Sequence, residues 1–146
     1  MGKKRAKVSI HPRSIERFKE KVRDITARKQ GIQAIFVVRK LSAYLKGWGG
    51  HYVQAATCGR EFEALDAWCR RRVRQFLWVQ WKTPANRLRQ LVKRTVNLKK
   101  AKTACYAKGK WAPSHSEAIR IGLNNKTLQK MGLVSLQSLR ARPRAL

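Results

Sequence analysis

Acidic residues are scarce in this chain. Seven Asp and Glu stand against 35 Lys and Arg among 146 residues, a formal net charge of +28. No two acids are adjacent, and Glu16, Glu20, Asp24 and Asp66 sit beside basic residues on expected helices. That leaves little for carboxylate acid–base chemistry, which needs paired groups with separated pKa values. Cysteine is also sparse. Cys58, Cys69 and Cys105 are odd in number and lack paired spacing, so they read as free thiols in a reducing compartment. His11, His51 and His115 are far apart, with neither HExxH nor CxxC spacing, so no metal site is expected. Nothing marks His51 and Cys58 as a base and nucleophile. "GWGG" at 47–50 follows a helix and lacks a Lys–Ser/Thr, which excludes a phosphate loop, and "PSHS" at 113–116 reads as a turn and N-cap. No cofactor is expected. No apolar run approaches the roughly 18–20 residues of a spanning helix. The basic start "MGKKRAKVSIHPR" has no apolar stretch of the secretory kind, and Ala6 stands where myristoylation prefers Ser or Thr. Strand-like alternation, internal repeats and low-complexity linkers are absent as well.

What is present is positive charge, spread through most of the chain. It opposes compaction by self-repulsion and favours polyanions, of which nucleic acid is the foremost because neutralised phosphates release counterions. The segment "AWCRRRVRQFLWVQWKTP" (67–84) holds four arginines, three tryptophans and no acid. Such rings either complete a core under a solvated face or belong to a surface that meets an anion.

The periodicity predicts an all-α fold, a compact helical bundle. A basic arm, expected to be mobile, covers 1–11. A helix is expected over 12–29, with Ile15, Phe18, Val22 and Ile25 on one face, Pro12 at its first turn and Gly31 at its stop. A second runs from about Ile32 to Leu45, with Ala34, Val37, Val38, Leu41 and Leu45 inward. Trp48 and Tyr52 extend the spacing, but the glycines at 47, 49 and 50 predict an interruption: a kink, or a close backbone approach. The strongest signal is 61–81, with Phe62, Leu65, Cys69, Val73 and Phe76 as its stripe. Arg71, Arg74, Trp78 and Lys82 fall opposite, and Trp68 and Trp81 on the flanks. Pro84 starts a further helix with Leu88, Leu91, Val92 and Val96 inward and Arg87, Arg89, Lys93 and Arg94 outward. A basic stretch 99–110 and short helical elements follow, Gly132 serving as a C-cap.

Four motifs in order carry a resemblance. They are "SIERFKEKVRDITARKQG", "LSAYLKGWGGHYVQA", "FEALDAWCRRRVRQFLWVQWKTPANRLRQL" and "KGKWAPSHSEAIRIGLNNKTLQKMGLVSL". Over roughly residues 10–139 the chain resembles the maturase-specific region (thumb helices plus domain X) of group II intron-encoded reverse transcriptase/maturase proteins. In the third motif Leu65-Asp66, Trp68, Arg70–Arg72, Arg74, Trp78, Trp81-Lys82 and Pro84 follow the family's order and spacing. The resemblance implies thumb-like helices over 12–57, domain X-like helices over 58–140, and a basic tail over 141–146. It implies RNA binding: the family's domain X grips intron RNA and helps it reach its splicing-competent fold while the RNA performs the chemistry. The sequence holds neither the family's Tyr-x-Asp-Asp polymerase motif nor its Cys/His endonuclease. A non-catalytic role is therefore expected, in a prokaryotic cytoplasm, nucleic-acid-associated and away from membranes.

Charge and resemblance together give the expected RNA-binding residues. These are Arg70, Arg71, Arg72, Arg74, Trp78, Lys82, Arg87, Lys93, Arg94, Lys99, Lys100, Lys102, Lys108, Lys110 and Trp111. Guanidinium forks suit phosphate and stack on bases. For Trp78 an opposing reading stands beside this one, that the segment after Pro84 folds back and covers it. Two other functions stand beside RNA binding. One is a thumb subunit completing a separately encoded reverse transcriptase fingers/palm chain, which predicts an exposed apolar face along Ile15, Phe18 and Val22. The other is a degenerate mobile-element remnant. The sequence also predicts that Arg71→Ala with Arg74→Ala weakens RNA binding without loss of helix.

Overall fold

The computed structural model describes residues 10–27, 33–52, 59–94, 96–106 and 117–141. Within them the chain forms eight helices and no strand. They are α1 (Pro12–Ile25), α2 (Ala34–Tyr52), α3 (Gly59–Gln80), α4 (Pro84–Lys93), α5 (Leu98–Cys105), α6 (Glu117–Gly122), α7 (Asn125–Lys130) and α8 (Leu136–Ala141).

Local chemistry sets many of the ends. His11 opens α1 by accepting the Arg13 N–H on its ring nitrogen at 3.1 Å, with Pro12 as the first helical residue. Thr83 caps α4 by accepting from the Asn86 N–H, and Asn97 caps α5 by accepting from the Lys99 N–H. Gly132, at φ +101°, follows α7 in a conformation that side chains rarely adopt, as its sequence position predicts.

Two sets of helices share one core. α2 lies against α1, α3 and α8, and α3 packs on α8 as well, while α4, α5 and α6 pack on one another. Phe18, Val22, Leu41, Leu45, Phe62 and Val73 are among the wholly buried side chains of the first set; Leu91 and Ile119 are among those of the second. The stripe Phe62, Leu65, Cys69, Val73 and Phe76 is buried throughout, as expected.

Several expectations are corrected. Ile10 is buried in the core, so the arm is anchored by its last residues. α1 ends at Ile25: Thr26 donates its hydroxyl to the Val22 carbonyl at 2.7 Å and accepts the Arg72 Nε–H at 3.1 Å, which ties the helix end to α3. α2 does not stop at Leu45 but runs through the glycines to Tyr52. Trp48 holds that last part, its ring 4.5 Å from Phe18 and 4.6 Å from Tyr52 between centroids. The close approach is met at Gly49, where a Cβ would lie 2.7 Å from a Leu139 methyl and 2.8 Å from a Leu136 methyl. On α4, Val92 is exposed rather than inward, while Leu91 and, beyond the helix, Val96 are buried as expected. Phe18 and Val22 are wholly buried and Ile15 is half-buried, so α1 does not present the exposed apolar face expected of a thumb subunit.

Candidate nucleic-acid interface

The three tryptophans of the 67–84 segment are all roofed by cations. Trp78 is 2% exposed and lies beneath Arg87, whose guanidinium carbon is 4.6 Å from the ring centroid and whose Nε–H donates to the Trp78 carbonyl at 2.9 Å. Arg94 covers Trp81 at 5.3 Å and donates to the Gln90 side chain at 2.7 Å. Trp68, half-buried, has Lys19 and Arg23 each 5.6 Å from its ring. The indoles thus extend the core while the atoms above them stay positive, an arrangement favoured by cation–π attraction.

This overturns the placement of Trp78 on the basic face. The fold-back of the chain after Pro84 covers it, as the opposing reading had it. Magnitudes explain the choice: a base stacked on an exposed ring is worth about 1–3 kcal/mol, whereas removing a buried Trp costs about 3–5 kcal/mol. Helical periodicity alone misled, because it describes only one neighbour and α3 has several.

The arginine run divides by direction. Arg72 turns to Thr26, the residue that closes α1. Arg70, Arg71 and Arg74 enter a cleft of about 850 Å³ whose other wall is Arg120, Asn124, Asn125 and Lys126, with Ala67 at its base. No carboxylate lines it. Arg74 spans the two walls: its Nε–H donates to the Leu123 carbonyl at 2.8 Å and an Nη2–H to Asn125 Oδ1 at 3.0 Å. Burial, then the neighbouring Arg70, Arg120 and Arg71, hold the Arg74 guanidinium below its ordinary value. Like charges crowd here.

Asp66, the acid nearest in sequence, is turned elsewhere. It is buried and accepts from the Leu136 N–H at 2.7 Å, the Ser135 hydroxyl at 2.9 Å and the Gln137 N–H at 3.1 Å, locking the start of α8. Cys69 lines the adjoining hollow of about 600 Å³. Burial, with Asp66 adding to it and Arg70 opposing, pushes its thiol up to about 12, which makes it a poor nucleophile at neutral pH.

The other expected residues lie outside the cleft. Lys82 is exposed between α3 and α4 at φ +59°. Lys93 is exposed near the end of α4, and Lys99, Lys100 and Lys102 are exposed on α5, with Lys100 paired to Glu117 at 3.2 Å. Arg87 and Arg94 are half-buried over their tryptophans. Lys108, Lys110 and Trp111 lie outside the described residues, as do Cys58 and "PSHS". Arg120, Asn124, Asn125 and Lys126 were not singled out from the sequence. On two six-residue helices and the turn between them they read as ordinary solvated positions, and only their approach to α3 gives them a role.

Arg74 also changes what a substitution tests. Arg74→Ala removes two hydrogen bonds that hold the α6–α7 turn, so it is expected to destabilise by about 1–3 kcal/mol. Arg71, exposed on the cleft wall, is the cleaner probe of anion binding.

No helix among the described residues is long and apolar enough to cross a membrane. Among the same residues no three His, Cys, Asp or Glu side chains converge as metal ligands. No curated protein matches the chain. The profile of the family described as "Group II intron, maturase-specific domain" matches residues 15–102, more than half of the chain.

Proposed function

Because the chain belongs to the group II intron maturase-specific domain family, we propose that it is a non-catalytic RNA-binding domain that grips structured group II intron RNA and assists its splicing. The observation that carries this reading is the acid-free cleft walled by Arg70, Arg71, Arg120 and Lys126, in a chain with 35 basic and 7 acidic residues. A large folded RNA repels itself where its backbones converge. Fixed cations on a helical scaffold offset that repulsion in a set pattern, so they read shape more than sequence.

The scaffold suits the task. Lys99 and Lys102 on α5 and Lys82 and Lys93 at the ends of α3 and α4 add a diffuse field around the cleft. Arg87 and Arg94 contribute charge while covering tryptophans. In this reading the chain divides into thumb-like helices (12–57) and domain X-like helices (58–140), with RNA contact concentrated in the second part. The family match runs across that division, and α2 and α3 pack together, so both parts are expected to act as one body on the RNA.

The test is binding to a labelled, folded group II intron RNA against duplex DNA and unstructured RNA of equal length, at low and physiological salt. A preference for the folded intron that survives physiological salt supports the reading. Splicing of that RNA with and without protein then measures assistance. Equal binding to all three, abolished by salt, leaves only a generic polycation and sinks it.

A further inference from the structure

The cleft is built differently from an exposed basic face. Its walls come from parts of the chain about 50 residues apart in sequence: Arg70 and Arg71 from α3, Arg120 and Lys126 from α6 and α7. The second wall is rigid. Leu123 and Leu128 are buried beneath it, Asn124 Oδ1 accepts the Thr127 N–H at 2.9 Å and the Thr127 hydroxyl at 3.0 Å, and Arg74 fastens the turn to α3. The backbone that carries these cations is therefore set before any ligand arrives, which reduces the ordering cost of binding.

Two features narrow the ligand. Like charges face one another across the gap, so a negative group placed between them relieves repulsion on both sides. The volume falls in the range that holds a small ligand, which admits a turn of nucleotide backbone but not the body of a duplex. Asp66 lines the adjoining hollow that shares Arg70 and Asn125 with the cleft, so an anion settles on the side of Arg71 and Arg120.

We propose that the cleft between α3 and the α6–α7 turn is a two-walled phosphate clamp for a looped-out stretch of RNA backbone, such as a bulge, gripped by Arg70 and Arg71 on one side and Arg120 and Lys126 on the other. A regular duplex presents its phosphates along a ridge and engages the exposed lysines. An extruded phosphate can enter and be held from both walls by charge-assisted hydrogen bonds. This rests on the RNA-binding reading and adds where the RNA enters and which feature of it is recognised. The second wall lies beyond residues 15–102, so the clamp needs more of the chain than the family match spans.

The experiment compares the full chain with two double variants, Arg120→Ala/Lys126→Ala on the clamp and Lys99→Ala/Lys102→Ala on α5. All four substituted side chains are exposed, and far-UV circular dichroism checks that the helices persist. Probes are an RNA hairpin with a three-nucleotide bulge, the same hairpin without the bulge, and tripolyphosphate.

The clamp variant is expected to lose about tenfold in affinity for the bulged hairpin, with little change for the regular one. Its salt slope on the bulged RNA should fall by about 1.4, two cations at roughly 0.7 each. The α5 variant should weaken both hairpins alike. Equal losses on both hairpins in the clamp variant, or no loss on either, overturns the proposal. Arg71→Ala tests the opposite wall and should reproduce the bulge-selective loss. Tripolyphosphate that binds as tightly as the bulged hairpin, with the same loss in the clamp variant, also overturns it, in favour of a small-anion site. The outcomes separate from those of the function test. A parent protein that prefers folded intron RNA while the clamp variant binds bulged RNA unchanged rejects the clamp alone. A parent without that preference, whose clamp variant still shows the bulge-selective loss, rejects the intron reading alone.

Discussion

A glycine inside a helix costs about 1 kcal/mol relative to alanine, and α2 accommodates residues 47, 49 and 50 as glycine without breaking. The three are not equivalent. A Cβ at Gly47 would meet nothing within 4 Å, whereas at Gly49 it would press on Leu136 and Leu139. Leu136 is wholly buried and has little room to move. Gly47→Ala is therefore expected to stabilise by about 0.5–1 kcal/mol. Gly49→Ala should lose that gain to overpacking of about 1–3 kcal/mol. Urea denaturation of the two variants should place them on opposite sides of the parent. Cys69 gives a second single-residue test. Its thiol is pushed up to about 12 in the fold, whereas an unfolded cysteine ionises near 8.5. Below the lower value both states keep the proton; between the two only the unfolded state ionises. Stability is thus full below about pH 8.5 and falls as pH rises towards 12. Cys69→Ala should be less stable at neutral pH because of the small cavity, and its stability should fall less steeply over that alkaline range than the parent's.

At the scale of helices, long-range polar contacts decide what short elements cannot. α8 has six residues, too few to persist alone. Asp66, about 70 residues earlier, supplies acceptors for two of its first backbone N–H groups and for Ser135. Asp66→Asn keeps the shape but removes the charge and sets an amide donor against a backbone donor. A loss of about 2–4 kcal/mol is expected, read as a lower urea midpoint, with α8 amides losing hydrogen-exchange protection first. Arg74 does for the α6–α7 turn what Asp66 does for α8, so Arg71→Ala and Arg74→Ala should differ. Both should weaken RNA binding, but only Arg74→Ala should lower the melting temperature appreciably. Equal melting of the two would mean that the bonds to Leu123 and Asn125 contribute nothing measurable.

For the whole molecule the dominant long-range force is self-repulsion. The pair Lys100–Glu117 is solvent-exposed, and such pairs add at most about 1 kcal/mol. Against it stands a formal charge of +28. Raising sodium chloride from about 10 to 100 mM shortens the screening length from about 30 to 10 Å, so the melting temperature of the free protein should rise with salt. RNA affinity should move the other way, because salt reduces the gain from counterion release. A melting temperature that falls with salt would show that attractive pairs outweigh repulsion. The opposite salt responses express one design: charge that strains the free protein is relieved by a polyanion.

The order of hydrophobic residues on α3, the proline and polar caps, Gly132 at a helix end and the excess of positive charge are all local or additive properties, and the sequence by itself determined them. So did the family, three of whose four motifs fall, but for Ser14, within the matched residues 15–102. Tertiary structure decided the rest, because it depended on which distant elements meet. Trp78 falls on the same side of α3 as Arg71 and Arg74, yet α4 lies over one and the α6–α7 turn over another. Arg72 left the basic run to secure α1. Asp66 read as one more acid beside basic residues on a helix and became the cap of a helix far along the chain. Arg120 and Lys126 carried no local signal at all. Periodicity states which side of a helix a residue occupies; only packing states what stands on that side, and the clamp exists because two such sides carry like charge and face each other.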